Sequence, residues 1–333
     1  MLIIKGFTLC VVVVMLLCLL GYSAEDKSEG SNYTSQGMTA YSTGEYQLAI
    51  ESFKKAFMLR PENSAIVYNI SCCYALLGEK DSAFVWLQKA IELGTYVFSD
   101  DEDLASLRTD ARYQELEAMG EQKIAELKTR EWKPVIKLPA GQTGDKPYPV
   151  VIGLHGFGTN PIDYAKSLES AVIDGGYILC CPYGTFIRGT TAFGWGECVD
   201  AEQRILEAVQ YVTENYKVDH SRIVILGFSQ GGEIAFCTGF KNPGVFSAII
   251  SVAGYYSEDL NEYLEQTELK NIPVYMMIGE NDHSVESNKV GERLMKQKGI
   301  RAKLVIYPGV GHAFPPGANE ELTKALHWIE GID

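Results

Sequence analysis

Positive charge, histidine and metal-type cysteine spacing are all in short supply in this chain of 333 residues. Lysine and arginine number 29 against 43 aspartates and glutamates, for a formal net charge of −14 at pH 7. Without a positive field, a non-specific nucleic-acid or anionic-membrane binder is excluded. The eight cysteines form no C-x2-C element with distal partners, so no zinc or other metal site is read from them. Five histidines leave few candidates for a general base. The strands carry no long lid insertion between them, which predicts an open site. The uncharged apolar run "GFTLCVVVVMLLCLLG" (6–21) follows Lys5 and is short for a bilayer span.

That run, followed by Ser23, Ala24 and "EDKSEGSN", reads as an export segment over 1–24, a signal peptide cleaved near Gly21-Tyr22-Ser23 or an uncleaved anchor. The expected location is therefore periplasmic, secreted or membrane-anchored outside the cytoplasm, with membrane contact only through an uncleaved segment. Cys10 and Cys18 lie inside it, leaving six cysteines. Within the adjacent pairs Cys72-Cys73 and Cys180-Cys181 neighbouring side chains diverge, so neither pair is expected to bridge internally. Buried small apolar roles are expected, with one or two bridges open to the set in an oxidising compartment.

Residues 30–130 carry an internal period. Gly44, Ala49, Phe53 and Ala56 fall on Gly78, Ala83, Leu87 and Ala90, each at an offset of 34. Ala and aromatic residues at helical spacing are usually core, but coincident offsets with small residues where helices touch resemble the tetratricopeptide repeat. Tyr46 and Pro61 also stand where that family expects them. A third, degenerate unit is predicted in "DDEDLASLRTDARYQELEAM", with acids opening a helix and Leu104, Leu107, Tyr113 and Leu116 on one face. The array either holds a peptide or protein partner or only packs on its neighbour.

From 131 to 333 the texture changes to apolar runs at 149–154, 177–182, 222–227, 247–254, 274–279 and 303–308, alternating with helical patterns at 200–216, 230–239, 285–298 and 319–330. Continuous apolar strands belong in a parallel sheet covered by helices, so this half is predicted to be a doubly wound α/β domain.

The chemistry concentrates at strand ends. In "VILGFSQGGE" (224–233), Gly227, Ser229 and Gly231 fit the G-x-S-x-G elbow between a strand and a helix. The plain alternative is a glycine turn in which Ser229 caps the helix. "GLHGFG" (153–158) follows the first strong strand, Asp282 follows another, and His312 lies in a glycine-flanked loop after the last. The order Ser, Asp, His, each after a strand, would converge on the carboxyl rim of an open sheet. His155 belongs to the early loop, His220 precedes the elbow strand, and His327 sits in the final helix. His283, beside Asp282, is the one alternative base.

Together, His155–Gly158, "GFSQGG" (227–232), Gly279-x-x-Asp282-x-x-Val285 and Gly311-His312 resemble an α/β-hydrolase of the phospholipase/carboxylesterase and dienelactone hydrolase group over about 200 residues. The resemblance implies a serine carboxylesterase without metal or organic cofactor. Ser229 would be the nucleophile, His312 the base and Asp282 its orienter, with the backbone N–H groups of Phe157 and Gln230 as the oxyanion hole. Phe193 and Trp195, in "RGTTAFGWGE" (188–197), are expected to line a substrate pocket or to serve as packing. Expected substrates are short-acyl or aryl esters, small or displayed on a carbohydrate. Alternatives are a repeat-borne interaction protein with an idle hydrolase domain, and a serine peptidase on the same fold.

Overall fold

The computed structural model describes residues 24–140 and 146–332. Of the expected export segment only Ala24 falls among them. The chain divides after Glu126 into two compact units, four residues short of the boundary read at 130. Among the described residues, no helix is long and apolar enough to cross a membrane.

The first unit opens with two helical hairpins: α1 (Ala24–Ser42) with α2 (Tyr46–Leu59), and α3 (Ser64–Leu76) with α4 (Lys80–Glu92). The sequence period is also a geometric one. Gly44 and Gly78 take positive φ of 78° and 77° in the two turns, conformations that suit glycine. In each turn the residue after the glycine donates its N–H five residues back, Glu45 to Ala40 at 2.8 Å and Glu79 to Tyr74 at 2.9 Å. Ala49, Phe53 and Ala56, and their counterparts Ala83, Leu87 and Ala90, are all fully buried. The third unit differs from expectation in one respect. The acids do not open an α-helix; Asp101 caps a 3-10 turn over Glu102–Leu107, and α5 (Ala111–Lys128) starts separately. Asp110 is the cause, because its side chain takes the N–H of Arg112 at 3.0 Å and restarts the chain as a new helix. Leu104, Leu107, Tyr113 and Leu116 are buried nonetheless.

The second unit is built on a seven-stranded sheet of order β1-β3-β2-β6-β7-β8-β9. The strands are β1 (Val135–Lys137), β2 (Tyr148–Leu154), β3 (Ile178–Cys181), β6 (Val218–Phe228), β7 (Ala248–Val252), β8 (Val274–Gly279) and β9 (Ala302–Tyr307). All pair in parallel except β1, an antiparallel edge that the sequence reading did not include. Strand β9, read as apolar on both faces, is the opposite edge, and from Lys303 onward it is only partly covered. A small hairpin, β4 (Phe186–Ile187) with β5 (Phe193–Gly194), stands apart from the sheet.

Alternate residues of β2 feed separate cores, as buried parallel strands require. Val150, Ile152 and Leu154 pack with α7 (Cys198–Asn215) and α8 (Gln230–Lys241). Val151 packs with α6 (Pro161–Asp174) and α10 (Ala318–Glu330), while α9 (Val285–Gln297) adds Met295 to the first core. Cys198 at the start of α7 is bridged to Cys237 in α8, a link across 39 residues. Closing such a loop in the unfolded chain stabilises the fold by about 2–4 kcal/mol. Cys72, Cys73, Cys180 and Cys181 are free and buried.

Candidate active site

The chain runs from β2 outward to β3 and then back to β6 on the other side, so the crevice between β2 and β6 is where the winding reverses. Ligands of open α/β sheets bind at the carboxyl ends beside such a reversal. The loop after β2 carries Phe157, and the residue after β6 is Ser229.

Ser229 has φ 55° and ψ −122°, a backbone conformation that costs about 1–3 kcal/mol and clusters at functional sites. The glycines around it are obligatory. A Cβ on Gly227 would lie 1.9 Å from the Gly231 carbonyl oxygen, and one on Gly231 would lie 2.2 Å from that of Leu154. The elbow is fastened by the Ser229 N–H, which donates to the Val252 carbonyl at 2.9 Å. The serine hydroxyl itself caps nothing in the helix.

Ser229 Oγ lies 2.7 Å from Nε2 of His312, and His312 Nδ1 lies 2.8 Å from Oδ2 of Asp282. The Asp282 side chain is fully buried. Its second oxygen, Oδ1, accepts the Ser284 N–H at 2.8 Å. The acid and base loops grip each other through main-chain groups and one carboxylate. Asn281 N–H donates to the Val310 carbonyl at 2.8 Å, Gly309 N–H donates to the Glu280 carboxylate at 2.9 Å, and a Cβ on Gly279 would strike the Gly311 oxygen at 2.3 Å. From beneath, Phe228 lies against His312 and stacks on Phe314 at 4.6 Å between centroids.

Thus Ser229, Asp282 and His312 meet in one chain of hydrogen bonds. His283 does not join it: its ring is largely exposed, with Nδ1 3.4 Å from Asp282 Oδ1, and the serine's partner is His312. Gln230 is the first residue of α8, where helix geometry offers its N–H no intrahelical acceptor. Its side-chain Oε1 accepts the Trp195 N–H at 3.1 Å and is thereby turned away. Phe157 sits in a loop pinned beside it, where Gly158 N–H donates to the Phe193 carbonyl at 2.8 Å.

The structure corrects the expected pocket. Phe193 and Trp195 are both 0% exposed and serve as packing. The Trp195 indole N–H donates to the His155 carbonyl at 2.7 Å, and Phe193 packs on Trp132 and Tyr183. Phe157 and Phe186 are exposed instead, near-parallel at 6.5 Å, with the Arg188 guanidinium 4.7 Å over the Phe157 ring. Phe186 was missed because the loop read at "RGTTAFGWGE" (188–197) starts two residues after it; the apolar residues flanking Arg188-Gly189 are the signal of a hairpin.

His155 is a structural residue. Its Nδ1 donates to the Gly156 carbonyl at 2.8 Å and its Nε2 accepts the Gly184 N–H at 3.2 Å, an arrangement that requires the neutral ring. Burial pushes its pKa down to about 4, against an ordinary value near 6.5. The unfolded chain therefore binds the proton first as pH falls. Stability should drop by about 3 kcal/mol as pH falls from about 6.5 to about 4, and be independent of this group above that window. Urea unfolding at stepped pH reads it, and His155→Gln, which cannot be charged, should flatten the slope by that amount.

Comparison with known proteins gives the family and the fold. The dienelactone hydrolase family profile matches residues 136–329, and the tetratricopeptide repeat profile matches 31–63 and 64–93. Acyl-protein thioesterase 1 of Neurospora crassa is 35% identical over 98 residues, covering 28% of this chain and 40% of that protein. Acyl-protein thioesterase 1 homolog 1 of Dictyostelium discoideum is 26% identical over 132 residues, covering 38% and 58%. The chain thus spans less than two thirds of either relative. Among solved structures, an uncharacterized protein from Bacillus cereus ATCC 10987 superposes with a TM-score of 0.52 at 20% identity, over 91% of this chain and 99% of that one. Esterase PE8 superposes with a TM-score of 0.51 at 20% identity, over 60% and 100%. Both likenesses establish the fold.

Proposed function

Because the chain belongs to the dienelactone hydrolase family, we propose that it is a serine carboxylic-ester hydrolase working through Ser229, His312 and Asp282 and an acyl-enzyme intermediate. One observation carries the reading: the unbroken 2.7 Å and 2.8 Å contacts from Ser229 through His312 to a fully buried Asp282. A serine hydroxyl is a weak nucleophile at neutral pH and needs a base within hydrogen-bond reach. His312 Nε2 takes the hydroxyl proton as Oγ attacks the acyl carbon. Asp282 holds the Nδ1–H tautomer and stabilises the charged ring. The oxyanion is received by the Phe157 and Gln230 N–H groups, each such donor being worth about 100-fold or more in rate. His312 then protonates the leaving group, and water activated by the same nitrogen releases the acid.

The substrate reading is a short-acyl or aryl ester, free or carried on a larger molecule such as a carbohydrate. Support comes from the exposed Phe157–Phe186 pair beside the oxyanion loop, where a planar group can lie flat. The matched relatives' name adds thioesters, which pass through the same tetrahedral stage, to the panel worth testing. The helical repeats are read as the seat of a peptide or protein partner. Export from the cytoplasm is supported by the apolar run after Lys5 and by the Cys198–Cys237 bridge.

The direct test is labelling with a fluorophosphonate and mapping the modified peptide, which should contain Ser229. An assay of p-nitrophenyl acetate against benzoyl and S-acyl substrates reads preference. Phe186→Ala should lower kcat/KM for the benzoyl ester by about 2- to 12-fold, the worth of an aromatic contact, and leave the acetyl ester within about twofold. Equal losses on both esters would remove the shelf from the account.

A further inference from the structure

His283 is the chemically potent residue that the relay leaves unused. It stands beside the relay, its ring centroid 5.1 Å from that of His312 and its Nδ1 3.4 Å from Asp282 Oδ1. Asp282, His283 and His312 each present a ligand atom, all within 4.8 Å of one another, and both histidines are open to solvent while the carboxylate is buried. We propose that these three side chains form an inhibitory site for Zn2+ and similar imidazole-seeking divalent cations. The proposal rests on the serine-hydrolase reading for its inhibitory effect, though not for binding itself.

The spacing suits the ion. Zinc bonds of about 2.0–2.2 Å place neighbouring ligand atoms of a tetrahedron about 3.3–3.5 Å apart. His283 Nδ1 lies 3.4 Å from Asp282 Oδ1 and His312 Nδ1 lies 2.8 Å from Oδ2, so an ion between the two rings would meet the carboxylate across both its oxygens, with the 2.8 Å contact opening by about half an ångström. Two imidazoles and one carboxylate form a donor set that prefers zinc, copper or nickel to magnesium or calcium. The outward face leaves a fourth position to water.

Binding would stop the chemistry without touching Ser229. A neutral imidazole carries one proton; with the metal on Nδ1 of His312, that proton resides on Nε2. No proton is gained or lost overall, but the nitrogen facing Ser229 Oγ becomes a donor and can no longer accept the hydroxyl proton. Zinc occupancy and nucleophile activation therefore exclude each other. The site escaped the sequence because its ligands come from two loops, adjacent residues 282 and 283 and the distant 312, with no local motif.

The test uses the full chain stripped with a chelator. Zn2+ should slow both p-nitrophenyl acetate turnover and fluorophosphonate labelling, reversibly on adding chelator, while Mg2+ and Ca2+ should not. His283→Ala, a change at an exposed ring, should keep turnover within about twofold and raise the half-inhibitory zinc concentration at least tenfold. Calorimetry on Ser229→Ala should still record one zinc per chain, since binding needs no nucleophile. Absence of zinc binding, or inhibition equal in the parent and His283→Ala, would overturn the site. Zinc binding that depends on His283 in a protein that fluorophosphonate fails to label would instead leave the metal site standing and remove the hydrolase reading.

Discussion

Ser229→Ala is expected to lower ester turnover by about 10,000-fold or more and to abolish fluorophosphonate labelling, with the fold intact. The prediction is sharp because the substitution removes one atom. Serine and alanine both carry a Cβ, so the φ of 55° costs the two residues alike, and the hydroxyl caps no helix N–H in the native elbow. Circular dichroism and the thermal midpoint should therefore stay near those of the parent while kcat collapses. The residual rate should reflect the oxyanion hole and binding alone. Labelling that persists at another serine would falsify the assignment of the nucleophile.

Asp282→Asn should cost nearly as much, about 10,000-fold in kcat, through a tautomer and not through a lost contact. The two carboxylate oxygens have fixed partners: Oδ1 accepts the Ser284 N–H, and Oδ2 accepts His312 Nδ1. An amide has only one oxygen. Ser284 N–H is a backbone donor that can only donate, so it claims that oxygen and leaves the NH2 facing His312. Nδ1 must then accept, Nε2 must carry the proton, and the hydroxyl of Ser229 loses its base. Shape is preserved, so KM should move little while kcat falls. A nitrogen-15 NMR experiment on the His312 ring should show the proton moved from Nδ1 to Nε2. A parental tautomer with reduced activity would point to some other cause.

Much of this site could be read in the sequence because each of its residues follows a strand, and strand ends are legible. β8 was read at its observed bounds, and α8 and α9 began where their patterns did, since apolar runs broken by glycine leave little freedom. Strand β1 and helix α6 went unread for different reasons. β1 has only three half-buried residues, too few to carry a pattern, and it exists because β3 offers an open edge. The start of α6 is marked by Asn160, which caps Ile162 and Asp163, and by Pro161, a local signal that competed with the motif beside it. The aromatic rim left two roles open, pocket or packing, and burial decides for packing. Phe193 and Trp195 have the composition of a pocket, but whether an aromatic ring faces solvent depends on the β4–β5 hairpin turning it inward. Composition cannot report that rotation, and Phe186, two residues before Arg188, took the exposed position instead. Pairing of Cys198 with Cys237 was likewise beyond reach, because it depends on α7 and α8 lying side by side on one face of the sheet.

The hooks between the 279–282 loop and the 309–312 loop are formed by peptide groups, by the Glu280 carboxylate and by a glycine with no room for a side chain. The proton-transfer distance is thus set largely by main chain, whereas Phe186 and Arg188, which would greet an acyl group, stand on a separate hairpin. Appetite and machinery are in this way uncoupled. A descendant of this protein could change what it consumes by redrawing a few outer side chains, and inherit its reactivity untouched.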